Sequence, residues 1–233
     1  MVASQAARDR GRAPGQIAAA CTAAGYPLLP SQAEALGRYL ELLNRWNRVH
    51  SLTAIDSLDE QLTKHILDSL AAWRKALSAC GGLAGGLVAD VGSGMGAPGV
   101  IWAAVMPESR FSLIERQQKK AAFLRHVIGQ LGWADRVEVI ESDVRDLWGK
   151  LRADLITSRA FADVEAFFSL TAGISGPGTW WAAMAGRQVK KVSEHLLIKM
   201  GKQSIELETY PALRLEVPGL FAERHLVLAR RKK

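Results

Sequence analysis

Between Leu87 and Gly99 the chain reads Leu-Val-Ala-Asp-Val-Gly-Ser-Gly-Met-Gly-Ala-Pro-Gly, and this stretch limits the possible folds more than any other. A short apolar run, Leu87 to Val91, enters a glycine-rich turn, and residues suited to a helix follow from Pro98. Glycines at such a turn let the backbone pass close to a ligand, and the helix that follows offers unpaired N–H groups at its amino terminus. The pattern therefore predicts a strand, turn and helix of an open α/β sheet with a nucleotide-like cofactor at the turn.

The flanking sequence supports that fold. Short β-like runs alternate with helical ones: Phe111 to Ile114, a helix from Gln117 to Leu131, Val137 to Ile140, Asp154 to Thr157 and Gly178 to Met184. Such alternation is the signature of βαβ units on a parallel sheet. A Lys-rich stretch from Gln188 to Lys199 reads as helical. Two closing runs, Ile205 to Val217 and His225 to Ala229, flank Pro218-Gly219 and suggest an antiparallel hairpin. Upstream, Leu36, Tyr39, Leu40, Leu43 and Trp46 recur at helical spacing, with Ser31 and Glu34 spaced as a capping box, and a second helix is expected from Leu58 to Leu77. The glycine-rich run Cys80 to Gly86 divides the chain into a loose tail over 1–15, a helical region over 16–80 and a catalytic domain over 86–233.

Which cofactor the turn holds depends on its neighbours. Gly92-x-Gly94-x-x-Ala97 also satisfies the dinucleotide fingerprint, a weak signal when it stands alone. Asp90 places a charge where a dinucleotide strand usually stays apolar, whereas methyltransferases that use S-adenosylmethionine carry an acid there to orient the loop. No Gly-Lys-Ser or Gly-Lys-Thr follows, so a P-loop is excluded. Glu115, at the end of the second strand, suits the two ribose hydroxyls of adenosine, because open α/β sheets bind ligands at the carboxyl ends of their strands. Asp143, Val144 and Arg145, after the third strand, fall where adenine is contacted. Thr157 to Phe161 lacks the Pro-Pro-aromatic motif of amino-methylating enzymes, and no Pro-Cys nucleophile for carbon methylation occurs. A ring nitrogen such as guanine N7 fits these absences: its lone pair lies in the ring plane and bears no proton, so its methylation is a direct displacement without a general base. Positioning and desolvation then supply the catalysis.

The totals fit a globular protein acting on a polyanion. The 233 residues are enough to bury a sizeable core, and the net charge of +7 favours phosphate-bearing partners. Cys21 and Cys80 have no ligand spacing and are expected to be reduced, inert thiols, which points to the cytoplasm. His50, His126, His195 and His225 are scattered, so no metal site is expected, and no apolar run approaches a membrane span.

Beyond these readings, the residues resemble a known family, the bacterial small-subunit ribosomal RNA 7-methylguanosine methyltransferases called RsmG or GidB. The resemblance runs through Trp46-Asn47 with Leu52-Thr53-Ala54, then His65-Ile66-Leu67-Asp68-Ser69-Leu70 and the glycine loop. It continues through Lys119-Lys120-x-x-Phe123-Leu124, Ser158-Arg159-Ala160-Phe161-Ala162 and Glu223-Arg224-His225-Leu226-Val227. It implies a class I Rossmann-like methyltransferase, with a mostly parallel seven-stranded sheet, a C-terminal antiparallel hairpin and an N-terminal helical extension. It further implies transfer from S-adenosylmethionine to guanine N7 in the 530 loop of 16S ribosomal RNA, on the RNA or on the small subunit, by a monomer that touches no membrane. By motif position the implied cofactor set is Asp90, Gly92, Gly94, Gly96, Ala97, Glu115, Asp143, Val144, Arg145 and Arg159, with Arg159 the one candidate for a catalytic role. Departures from the family pattern are Met95 for Pro, Ala97 for Leu, Ser51 for Asn, and Ala185 where a lysine is thought to face substrate.

Arg45 with Arg48, Lys119 with Lys120, and Arg187, Lys190 and Lys191, which stand near the missing lysine, are candidate RNA contacts; the alternative for each set is a solvated face. His65 and Asp68, spaced i and i+3, are either a structural pair or an orienting pair at the cleft. Trp180 and Trp181 are expected in the core. The competing readings are a cofactor-binding ribosome-assembly factor without catalysis and a nicotinamide-dependent oxidoreductase; Asp90 and the closing hairpin count against the second.

Overall fold

A computed structural model of the chain describes residues 14–159, 161, 163–186, 192–201 and 203–232. Among the described residues four α-helical segments come first: α1 (Pro14–Ala23), α2 (Pro30–His50), the single turn α3 (Leu58–Gln61) and α4 (Asp68–Cys80). The first sheet strands and their crossovers follow as β1 (Leu87–Val91), α5 (Gly99–Val105), β2 (Arg110–Ile114), α6 (Gln118–Leu131), β3 (Val137–Ile140), β4 (Ala153–Arg159), α7 (Val164–Thr171) and β5 (Ser175–Ala185). The chain closes with β6 (His195–Met200), β7 (Gln203–Thr209), β8 (Leu213–Leu215) and β9 (Arg224–Arg231).

The sheet order is β3-β2-β1-β4-β5-β9-β7-β6, with β8 paired to β9. The strands from β1 to β5 pair in parallel, and β9 joins antiparallel to β5, with Trp181 opposite Ala229 and Ala185 opposite His225. The carboxyl ends of β4 and β5 therefore lie beside the start of β9. The expected closing hairpin is present as β8 against β9, Leu213 opposite Leu226.

Some expectations are corrected. Among the described residues the sheet has nine strands where seven were expected. Part of the difference is β6: the stretch read as a helix from Gln188 to Lys199 contributes a strand, because Leu196 and Ile198 find cross-strand partners in Leu207 and Ile205. Residues 187–191 lie outside the described residues. The helix α2 begins one residue ahead of the expected cap: Pro30 takes its first position, where its missing N–H costs nothing, and the Gln32 side chain accepts the Leu29 N–H at 2.8 Å. Pro14 and Gly15, assigned to the tail, already belong to α1. The single helix expected from Leu58 to Leu77 is broken by a π-helical turn over Leu62–Leu67, a rare geometry concentrated at functional sites.

Apolar side chains fill both faces of the sheet. On one, Leu36, Tyr39, Leu40 and Leu43 of α2 join Trp102 and Phe123 in a single cluster, so the N-terminal helices share the sheet's core. On the other, Phe167 and Phe168 of α7 pack with Trp181. Trp180, also expected in the core, is half-buried and stacks on Tyr210 at 5.4 Å. Both cysteines are free thiols, and burial pushes them up, Cys21 to about 11 and Cys80 to about 12. Among the described residues no helix is long and apolar enough to cross a membrane, and no group of His, Cys, Asp and Glu is placed to hold a metal ion.

Candidate functional site

The glycine loop joins β1 to α5. Gly92, Gly94 and Gly96 all have positive φ, 72°, 58° and 97°, a region that side-chain-bearing residues rarely adopt. Two carboxylates clamp the loop from opposite sides. Beneath it, Asp90 is fully buried, and its Oδ2 accepts the Gly99 N–H at 3.0 Å. The approach is so close that a Cβ on Gly99 would stand 2.5 Å from that oxygen. Burial raises the Asp90 carboxyl to about 7, against the opposing pull of the Gly99 N–H, and its Oδ1 has no hydrogen-bond partner among the described residues. Beside the loop, Glu115 accepts the Gly94 N–H on Oε2 at 2.9 Å and the Gln117 N–H on Oε1 at 2.8 Å.

A cleft of about 320 Å³ opens there, lined by Gly92, Glu115, Gln117, Asp143, Val144 and Phe161 among others. The structure thus brings Gly92, Glu115, Asp143 and Val144 together. It places the other predicted loop residues differently: Gly94 serves as a donor to Glu115, while Asp90 and Ala97 are buried behind the loop. A Cβ on Gly96 would stand 2.7 Å from Val100, so that glycine is required by the packing of α5. Arg145 is exposed and folds back on Asp143, donating from Nε and Nη2 at 2.9 Å each and holding that carboxyl well below the usual range. Of the cleft residues that sequence reasoning missed, Arg116, Gln117 and Phe161 sit in connecting segments and Leu170 on α7; Gln117 and Arg116 directly follow Glu115 and were within reach of the strand-end argument.

Arg159 faces a second cavity of about 490 Å³. Residues from the α2–α3 connection, the π-turn, α4, the ends of β4 and β5, β8 and the start of β9 line it. Its Nη1 donates to the Lys64 carbonyl at 2.9 Å and lies 3.4 Å from His65 Nδ1 and 3.9 Å from Asp68 Oδ2. Asp68 also approaches Arg224 Nε at 3.5 Å. His65 is buried, and burial with the adjacent guanidinium lowers it to about 3, so the imidazole is neutral and accepts from Arg159. Met95, which departs from the family pattern, bridges the two regions: its carbonyl accepts the Tyr39 hydroxyl at 2.9 Å, and its sulfur lies 3.9 Å from Arg159 Nη2. Lys64 and Arg224 were missed as cavity residues, and for Arg224 the available signal was its place just before an alternating strand.

Lys119 and Lys120 lie in the first turn of α6, two and three residues after Gln117 of the cleft. Arg45, paired with Glu41 at 3.0 Å, and exposed Arg48 lie on the last turns of α2, where Trp46 meets Phe123 and His126 of α6 at 5.6 Å each. Arg187, Lys190 and Lys191 lie outside the described residues.

Comparison with known proteins finds a family model described as rRNA small subunit methyltransferase G, GidB, matching residues 32–227. A protein named ribosomal RNA small subunit methyltransferase G from Laribacter hongkongensis is 35% identical over 207 residues, covering 87% of this chain and 91% of the relative. One of the same name from Leptothrix cholodnii is 36% identical over 214 residues, covering 92% and 94%. Among solved structures, cofactor-bound Rv0187 from MTB superposes with a TM-score of 0.54 at 16% identity, covering 86% of this chain and 90% of that one, a likeness of fold alone.

Proposed function

The chain belongs to the GidB family, the rRNA small subunit methyltransferases G, and on that premise we propose that it moves a methyl group from S-adenosylmethionine to guanine N7 in the 530 loop of 16S ribosomal RNA. It works in the cytoplasm as a monomer, on the RNA or on the small subunit. The observation that carries this reading is the setting of Glu115. Each of its oxygens takes one backbone N–H, from Gly94 or Gln117, and keeps a further acceptor position. That is the capacity two ribose hydroxyls require, at the strand end where α/β sheets bind ligands.

The other cleft residues suit adenosine too. Val144 is a buried apolar wall, and Asp143 beside it keeps one acceptor position on Oδ2 beyond its three bonds from Arg145. When bound, S-adenosylmethionine supplies an electrophilic methyl group on a sulfonium. The protein's residues then orient and exclude water. N7 has no proton to give up, so no side chain has to act as base, in keeping with a neutral, buried His65. Arg159 is better read as an electrostatic and positioning group than as a proton carrier. The helical region over 16–80 supplies one wall of the Arg159 cavity, and the catalytic domain over 86–233 the other. Arg45, Arg48, Lys119 and Lys120 form the RNA approach, with Arg187, Lys190 and Lys191 as further candidates. The lysine absent at Ala185 is offset by Lys64, Arg159 and Arg224, which line the same cavity.

The test is to incubate the purified protein with labelled S-adenosylmethionine and small-subunit RNA or particles lacking the modification, then digest the RNA and identify the labelled nucleoside. Label is expected in 7-methylguanosine, and Glu115→Ala is expected to weaken cofactor binding on the order of 100-fold. Cofactor binding without label on any form of the substrate would instead favour the assembly-factor reading.

A further inference from the structure

We propose that Asp68 selects the methyl-accepting base, its carboxylate taking the N1–H and N2–H donors of guanine in the cavity beside Arg159. The proposal rests on the guanine N7 reading and adds to it the group that recognises the base.

The cavity of about 490 Å³ has room for a nucleotide and is distinct from the cleft at Glu115. Most of its charged lining can only donate: Lys64, Arg159 and Arg224 carry no acceptor, and the His65 nitrogen facing Arg159 is already engaged. Asp68 is the one carboxylate in the lining among the described residues, and it is 1% exposed. Its contacts to Arg224 and Arg159 are long, 3.5 and 3.9 Å, and both reach Oδ2. Oδ1 has no hydrogen-bond partner among the described residues. A buried carboxylate oxygen without a donor is costly, and each such atom in a folded protein calls for an explanation. Burial pushes the Asp68 carboxyl up, and the two guanidinium groups oppose that push.

Base chemistry identifies the missing donor. Guanine carries N1–H and N2–H side by side on the edge of its six-membered ring, a pair that one carboxylate accepts together. Adenine and cytosine each place a ring-nitrogen acceptor there, which would face the carboxylate lone pairs, and uracil offers one N–H between two acceptors. A guanine held by that edge leaves N7, on its five-membered ring, free of donors and open to reaction. In the transfer the N7 lone pair forms the new N–C bond, the C–S pair stays with the sulfur, and no proton moves. The positive charge passes to the purine, so a carboxylate on the N1 side binds more strongly as the reaction proceeds, and this favours the transition state.

The experiment uses the full chain and small-subunit particles carrying either guanine or inosine at the target position. Inosine keeps N7 and N1–H but lacks the N2 amino group. Wild-type protein is expected to lose kcat/KM by about 10- to 100-fold on inosine. For Asp68→Asn, kcat/KM on guanine is expected to fall by about 100-fold, with S-adenosylmethionine affinity retained and the guanine-to-inosine ratio compressed to within about threefold. Equal wild-type rates on both bases, or an Asp68→Asn protein that keeps the full ratio, would overturn the assignment. Should Asp68→Asn fail to fold, the inosine penalty on the wild-type protein decides alone. Absence of label on guanine itself would instead overturn the N7 reading, so the two failures are distinguishable.

Discussion

The cleft at Glu115 and the cavity at Arg159 share the carboxyl edge of one sheet but are built differently. The first is closed by hydrogen bonds from backbone N–H groups to a carboxylate, such as Gly94 to Glu115, 21 residues apart. The second is closed by charged side chains and by bonds such as Arg159 to the Lys64 carbonyl, 95 residues apart. A cleft fixed by backbone is preorganised, and behind it an atom added at Gly99 has no room. A cavity fixed by long side chains from separate elements tolerates local change but depends on the packing of the whole domain.

Gly99→Ala is the strongest way to break that contrast. The new Cβ would stand 2.5 Å from both Asp90 Oδ2 and Leu113 Cδ2, so the loop must move. We expect a loss of about 3 kcal/mol in urea unfolding together with loss of measurable S-adenosylmethionine binding. A destabilised variant that binds the cofactor normally would show that the backbone clamp does not shape the cleft.

Asp90 sharpens the comparison through pH. Its folded carboxyl sits at about 7, above the ordinary 3.8, so between those values the folded state holds a proton that the unfolded chain has released. Its contribution is therefore fully present at low pH and is lost as pH rises through about 7. Relative to Asp90→Asn, the wild-type protein should lose about 3 kcal/mol between about pH 5 and about pH 8, measured by denaturant titration at each pH. A difference that stays flat with pH would mean that Asp90 is ionised in the folded loop.

The smallest expected effect lies on the approach to the Arg159 cavity. Ser51 ends α2 with φ 48° and ψ 52°, a left-handed conformation that favours Gly or Asn. Ser51→Gly should gain about 0.5 kcal/mol in thermal unfolding and leave cofactor affinity unchanged. A change in affinity would couple this helix end to the glycine-loop cleft and weaken the contrast.

The same difference explains what could be read from sequence. The glycine loop and Glu115 were legible because strand, turn and helix signals lie within about thirty residues and each has a local physical cause. Asp68 was seen only as half of an i and i+3 pair with His65. Its partnership with Arg224 was not legible, since it exists only after β9 has paired with β5. The π-turn has no sequence signature, and β6 was misread because the lysine-rich pattern before it outweighed the partner that β7 supplies.

The position of β9 also orders events in time. Among the described residues it is the last strand in sequence, yet it is an interior strand of the sheet, lying between β5 and β7 with Arg224 at its start. A nascent chain still short of Arg224 already has β1 to β5 and the glycine loop, but it has a gap in the sheet and a cavity with one wall missing. On the proposed function, such a chain carries the residues that hold the cofactor before it carries those that enclose the base. Synthesis of β9 is then the step that completes the RNA-accepting site, and the contact that closes it, Arg224 to Asp68, joins residues far apart in sequence, the slow kind to form.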